Sequence, residues 1–300
     1  MQESTEIVEG LVRHLRWAVR GSDGNGASAP SAWRGSSGEF EQYRDFQPGD
    51  DVRRLDLKIY ARLRRRVVRV TRQDTALPLT VLVDRTASMQ GIGDGLRDAA
   101  AAQLLWLFAA VARRRGDAFR VFGYAGGTAW RWRNTSSASI DAITRELRSP
   151  SPTERVSDLQ RSFATVPPHP AGRGAIIVIS DAFGVENPDA TIAPLLRHGP
   201  PFLLALLEPT ELRPELLVNP RLGQRSLRLH SREPESPWRG TLDATTLDRY
   251  RQALASYHAS LARRLRAAGG DLICIETELP LLSMATAILR SGRLLRRCRS

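Results

Sequence analysis

The chain has 300 residues, 42% of them hydrophobic, enough for one large α/β domain with extensions or for two small domains. Two cysteines, Cys274 and Cys298, exclude a disulfide framework, and five scattered histidines offer no zinc cluster. The net charge of +12 would draw nucleic acid, anionic lipid or an acidic protein, but Lys58 is the only lysine, and an arginine bias of this kind matches a GC-rich genome.

Base-reading and stacking motifs are missing, so nucleic acid is not the expected partner. No run approaches the ~18–20 apolar residues that span a bilayer. The acidic start, with Glu3 and Glu6, lacks the basic-then-apolar pattern of a signal peptide. The expectation is a cytoplasmic chain with no transmembrane segment.

In chain order, residues 4–20 put Ile7, Val8, Leu11, Leu15, Ala18 and Val19 on one face, which predicts an amphipathic helix. That face either docks on the body or meets a partner or membrane surface. Residues 21–32, rich in Gly, Ser and Ala, form a flexible connection. Further on, Pro48-Gly49 marks a tight turn. Leu55, Leu57 and Ile59 then alternate with Asp56, Lys58 and Tyr60, the period of a strand. The charges of Asp50, Asp51, Arg53, Arg54 and Asp56 read as a structural lock rather than a catalytic acid pair. Residues 62–72 combine an arginine run with a Val68/Val70 alternation, a solvated strand without the interleaved aromatics that stack bases.

The chain is organised around Leu79-Thr80-Val81-Leu82-Val83-Asp84-Arg85-Thr86-Ala87-Ser88. An apolar run of this length reads as a buried, parallel strand. It ends in an acid followed by two hydroxyls at alternate positions. Such strand ends are where open α/β sheets bind ligands. Asp84, Thr86 and Ser88 on one loop suit a hard cation such as Mg2+. A carboxylate that accepts its own loop's N–H groups needs no ion, and that alternative stays open for Asp84.

A long amphipathic helix follows through Leu96, Ala100, Leu104 and Phe108, stopped at Gly116. Residues 119–124 and 128–133 read as strands, 138–148 as a helix, and another helix begins near Ser157. Residues 175–181 repeat the central design, an apolar strand ending in Ser180-Asp181, and residues 202–208 repeat it again with Glu208. Helices over 189–197 and 247–267, a peripheral strand at 226–230, a strand at 272–275 and a last helix at 281–289 complete the chain. Cys274 reads as a small core residue. The strand–helix alternation predicts a doubly wound, mostly parallel sheet with helices on both faces.

Asp84, Thr86 and Ser88, with a second acid at another strand end, resemble the metal-ion-dependent adhesion site of a von Willebrand factor A-like domain. In that family the pattern is Asp-x-Ser-x-Ser, a later Thr and an Asp after the fourth strand. The resemblance implies Asp84, Thr86, Ser88 and Asp181 as metal-site residues, with Ser157 in Val156-Ser157-Asp158-Leu159 as the later hydroxyl and Thr153 as the fallback. A longer stretch, Tyr43-Arg44-Asp45-Phe46-Gln47-Pro48-Gly49-Asp50-Asp51-Val52-Arg53-Arg54-Leu55-Asp56, is similar to the signature of the bacterial "domain of unknown function 58" family, where it precedes a von Willebrand A-like domain. The chain departs from these patterns at Thr86, at Arg85 beside the site, at Ser157, at Arg155 and at Leu57.

Together these readings predict an α/β, Rossmann-type fold with an N-terminal helix and a small β extension. The expected divisions are 1–34 helix and linker, 35–78 signature extension, 79–290 von Willebrand A-like domain and 291–300 basic tail. The resemblance implies a non-enzymatic protein-interaction module with Mg2+ or Mn2+. It implies as partner an AAA+ ATPase of the MoxR type, or an acidic protein ligand that completes the ion's shell. A Mg-dependent hydrolase or phosphatase using the strand-end aspartates is the alternative, although Thr86 stands where an Asp-nucleophile phosphatase has its second acid. Basic nucleic-acid binding through 62–72 and 290–299 is a third reading.

Overall fold

The computed structural model of the chain describes residues 10, 12–19, 39–47, 55–72, 76–90, 96–132, 137–147, 159–183, 185, 187–217 and 244–297. It divides into two compact units, one of Met1–Ser22 with Leu77–Ser300, the other Asp23–Ala76.

The first strand, β1 (Leu15–Trp17), belongs to the larger unit. It lies inside the span expected to be one helix over 4–20. Val12 is helical, but Leu15 and Trp17 are buried on alternate positions and Arg16 is not, so strand period wins there. The strand is held by Trp17, whose indole N–H donates to Asp117 at 2.6 Å and whose ring lies 6.0 Å from Phe108.

The smaller unit is a hairpin with one helix: β2 (Glu39–Asp45), α1 (Leu57–Leu63) and β3 (Val67–Arg72). β2 and β3 pair antiparallel with a bulge between Phe40 and Gln42. The strand expected over 55–60 is instead the start of α1. Asp56 accepts the N–H of Lys58 at 2.9 Å and of Ile59 at 3.1 Å, an N-cap that starts a helix. Leu57, at 70% exposure, has no buried face for a strand to serve. The expected strand in 62–72 forms as β3. The turn at Pro48 and Gly49 and the charges at Asp50, Asp51, Arg53 and Arg54 lie outside the described residues.

The rest of the larger unit alternates strand and helix as expected. β4 (Pro78–Asp84) leads to α2 (Leu96–Arg115), and Gly116 ends that helix at φ +70°. β5 (Ala118–Ala125), β6 (Thr128–Arg131), α3 (Ser137–Leu147), α4 (Leu159–Thr165) and β7 (Ala175–Ser180) follow. Then come α5 (Pro188–Ile192), β8 (Pro201–Leu207), α6 (Pro209–Leu212), α7 (Ala244–Ala267), β9 (Asp271–Glu276), α8 (Leu281–Ser291) and β10 (Leu295–Arg297). β10 pairs antiparallel with β1, so part of the expected basic tail is a strand. Leu295 is buried there, whereas Arg296 and Arg297 are exposed. The strand expected at 226–230 lies outside the described residues.

Six strands form one sheet in the order β6-β5-β4-β7-β8-β9, parallel except for β6. Side chains of β4 alternate between two cores. Leu79, Val81 and Val83 pack on the face of α2, α3 and α8, while Leu82 packs on the face of α4, α5 and α7. Close helix and strand packing leaves no room at some turns. A Cβ on Gly199, which has φ +135°, would lie 1.9 Å from the carbonyl oxygen of Gly174. Cys274, expected in the core, is exposed on the sheet-edge strand β9. No helix among the described residues is long and apolar enough to cross a membrane.

The connections reverse direction between β4 and β7. The chain moves outward from β4 through β5 to β6 on one side, then from β7 through β8 to β9 on the other. A crevice opens at the C-terminal ends of strands that flank such a reversal. Asp84 ends β4 and Asp181 follows β7, so both expected acids stand at this point.

Candidate functional site at the sheet switch point

Asp84 is 1% exposed, and four donors meet its carboxylate. Oδ1 accepts the backbone N–H of Thr86 at 2.9 Å and the Thr86 hydroxyl at 2.7 Å. Oδ2 accepts the Ser180 hydroxyl at 2.7 Å and the Tyr124 phenol at 3.0 Å. Local geometry explains the first pair. The Arg85 N–H bonds to the carbonyl of Tyr124, and then a single 3-10 turn, Ala87–Gln90, closes with the buried Met89 beneath it. That turn folds Thr86 and Ser88 back toward the acid, with their hydroxyls 2.9 Å apart. Sheet register explains the second pair, because Tyr124 lies directly beside Asp84 on β5.

Asp181 is also 1% exposed. Its Oδ1 accepts the Phe183 N–H at 3.1 Å. Its Oδ2 is buried and has no hydrogen-bond partner among the described residues. The next residue, Ala182, adopts φ +63°, a left-handed conformation that costs a side-chain-bearing residue about 1 kcal/mol. Its carbonyl is held by the Tyr257 hydroxyl.

Burial pushes the Asp84 carboxyl above its ordinary range, against the pull of Ser180 and Thr86. Burial, then the charge of Asp84, lift Asp181 to about 6, while Arg97 and the Ser88 hydroxyl oppose the rise. Burial also raises the Tyr124 phenol well above its usual value, so it stays a neutral donor.

Two basic residues reach this region with different roles. Arg85 was expected as a cation beside the site. Its guanidinium instead donates to Asp98 at 3.1 Å and to the carbonyl of Leu147 at 3.0 Å. The cation that meets Asp181 is Arg97, at 3.8 Å from Oδ2. Arg97 also donates to the carbonyls of Ser88 and Leu206 and pairs with Glu211. Glu211 in turn accepts the Glu208 N–H at 2.7 Å at the start of α6.

Of the five expected residues, the structure brings Asp84, Thr86, Ser88 and Asp181 together. Ser157 and its fallback Thr153 lie outside the described residues. Arg97 and Tyr124 were not foreseen. A signal for Arg97 exists: it precedes Ala101 by four and Leu104 by seven, which puts a charge on the apolar stripe of α2. A cation in the first turn of a helix also opposes the helix dipole, so its placement calls for an acidic partner. The donor types here suit a hard cation, being two hydroxyls and carboxylates. Among the described residues no group of three or more His, Cys, Asp or Glu converges on one point, which sets this loop apart from a carboxylate cage.

The family described as "Protein of unknown function DUF58" matches residues 42–198, just over half of the sequence. The chain belongs to this family. The match runs from the hairpin of the smaller unit through β4 and β7, and so includes all five expected site residues. Uncharacterized proteins of Mycobacterium bovis and Mycobacterium tuberculosis are 27% identical over 282 residues, covering 86% of this chain and 81% of theirs. Among solved structures, an aerotolerance-related membrane protein from Bacteroides fragilis superposes with a TM-score of 0.40 at 16% identity, over 72% of this chain and 100% of that one.

Proposed function

We propose that this DUF58 member is a non-enzymatic protein-interaction module of the von Willebrand A type, with its ligand site at Asp84, Thr86, Ser88 and Asp181. The observation that carries the reading is the buried Oδ2 of Asp181, which has no hydrogen-bond donor among the described residues, beside a serine–threonine hydroxyl pair anchored on Asp84. A buried carboxylate oxygen without a donor costs free energy unless something positive occupies its outlook. The partners of Asp84 are hydroxyls and one N–H, a set that orients oxygens rather than a nucleophile with its base.

These residues fit Mg2+ or Mn2+ by donor chemistry. Thr86, Ser88 and Asp181 would hold the ion, Asp84 would fix the hydroxyls, and Ser157 is the further hydroxyl that the family resemblance implies. A bound ion supplies an electrophilic position that a partner's carboxylate completes. The partner we propose is an AAA+ ATPase of the MoxR type presenting an acidic side chain. The chain acts in the cytoplasm on this reading.

The test is a pull-down of such an ATPase by the full chain with Mg2+ present, in parallel with calorimetric titration of Mg2+ alone. Asp84→Ala is expected to lose both capture and saturable ion binding. Capture that survives in Asp84→Ala would sink the adhesion-site reading while leaving the fold untouched.

A further inference from the structure

Arg97 occupies an unusual position, with its side chain 4% exposed at the C-terminal edge of the sheet. Its Nε donates to the Leu206 carbonyl at 3.3 Å and its Nη1 to the Ser88 carbonyl at 2.5 Å. The second terminal nitrogen pairs with Glu211. Only the remaining contact, 3.8 Å to Asp181 Oδ2, is too long for a hydrogen bond. It is a charge contact across a gap, onto the one carboxylate oxygen of the cluster that has no donor.

The charges in this cluster do not balance. Asp181, Glu211 and Glu208 all draw on the single Arg97 guanidinium, and the charge of Asp84 adds to that of Asp181. Arg97 and a divalent ion would therefore answer the same need at Asp181. Both placed there at full charge repel each other in a water-poor setting where such terms are large. Arg97 is anchored on two carbonyls and on Glu211, and Nη1, which holds the Ser88 carbonyl, is also the atom that faces Asp181 Oδ2. It can cede Asp181 without leaving its place.

Resting on the adhesion-site reading, we propose that Arg97 is a built-in competitor cation that sets the ion affinity of the site. Without an ion, Arg97 balances Asp181 and keeps the empty cluster folded. With the ion present, Arg97 keeps its two carbonyls and the charges of Glu211 and Glu208. The Arg97–Glu211 pair thereby makes loading depend on ion concentration, because part of the gain at Asp181 is offset by the contact surrendered. Glu211 itself is fixed at the N-terminus of α6, where the Glu208 N–H holds its second oxygen.

Calorimetry with Mg2+ alone, and separately Mn2+ alone, on the full-length chain tests this, using wild type, Arg97→Gln, Arg97→Lys, Glu211→Gln and Asp84→Ala. Arg97→Gln is expected to bind Mg2+ about tenfold more tightly than wild type, the size of a ~1.4 kcal/mol repulsion removed. Arg97→Lys should stay near wild type. Glu211→Gln should weaken binding, because Arg97 then leans fully on Asp181. In ion-free buffer Arg97→Gln should melt earlier than wild type, and Mg2+ should restore more of its melting temperature. If wild type binds and Asp84→Ala does not, but Arg97→Gln binds equally or more weakly, the competitor role is wrong and the site stands. If Arg97→Gln does not fold, unchanged affinity in Glu211→Gln overturns the role in its place. If neither wild type nor any folded variant binds either ion, the adhesion-site reading falls and the competitor role with it.

Discussion

At the N-terminal end of the parallel strands, Arg120 on β5 is 2% exposed, yet its described partners include no carboxylate. Its Nε donates to the Thr80 hydroxyl at 2.8 Å, and its terminal nitrogens reach the carbonyls of Pro167 and Pro168 and His198 Nδ1. At the C-terminal end, Asp84 and Asp181 are equally buried, and one of their oxygens has no donor. The first cluster is a buried cation dissolved in neutral acceptors. Burial, then the charge of Arg131, lower its pKa to about 10, which leaves it charged at neutral pH. Burial, followed by the charges of Arg120 and Arg197, lowers His198 to about 4, so it is a neutral neighbour. The second cluster is two like charges at a strand reversal, with a vacancy in its hydrogen bonding. Both ends perturb their titrating groups. Perturbation alone therefore does not mark a site; the unpaired oxygen and the excess of one sign do.

The largest expected effect tests the closed end. Arg120→Ala leaves the Thr80 hydroxyl and two prolyl carbonyls without their donor and opens a hole beneath the sheet. A loss of about 3 kcal/mol is expected by urea unfolding. Mg2+ affinity of the folded fraction should not change. A changed affinity would mean that the two ends are coupled through β4 and β5 and do not act independently. A smaller effect tests the open end. Tyr124→Phe removes one donor from Asp84 without changing the packing against Phe163, whose ring lies 5.2 Å away. We expect a cost of about 1–2 kcal/mol, together with weaker Mg2+ binding, because Asp84 then holds its hydroxyls less firmly. Stability loss with ion binding unaltered would make Tyr124 a packing residue only.

Much of this contrast was legible in the sequence at one end and almost none at the other. The acid at the end of β4, its alternate hydroxyls and the second acid after β7 follow from periodicity and strand-end chemistry. Their convergence required only that the sheet be doubly wound. Arg120 sits among Phe119, Val121 and Phe122 and reads as a polar position of an alternating strand. Its burial depends on residues 167, 168 and 198, which no local pattern links to it. Two local misreadings have the same origin. Leu55, Leu57 and Ile59 alternate, but six residues are too few for period alone to outweigh a capping Asp56. In residues 4–20 the apolar spacing satisfies both periods near Leu15, and pairing with β10, about 280 residues later in the chain, decides it. Arg97 was hidden for a different reason: a charge on an apolar stripe is discounted as surface unless its partners are known.

The last expected effect is a pH dependence, and it concerns Asp98, which faces Arg85 behind the site. Burial lifts Asp98 to about 6, Arg85 pulls it back, and the charge of Asp84 adds to the rise. In the unfolded chain an aspartate titrates near 4. Between these values the folded state binds the extra proton, so stability from this group is full below about pH 4 and is lost as pH rises through about 6. Asp98→Asn stands in for the protonated acid that wild type carries at low pH, so the two should be close in stability near pH 4. Wild type should then lose about 2 kcal/mol relative to the variant between pH 4 and pH 7, because only wild type loses the protonation term. The titrations of Asp84 and Asp181 are present in both proteins and largely cancel in the difference. Wild type gaining on the variant as pH rises would mean that the Arg85 pairing outweighs burial. Asp98 would then be a satisfied ion pair like those of ordinary interiors, and the imbalance of charge would be confined to Asp84, Asp181 and Arg97.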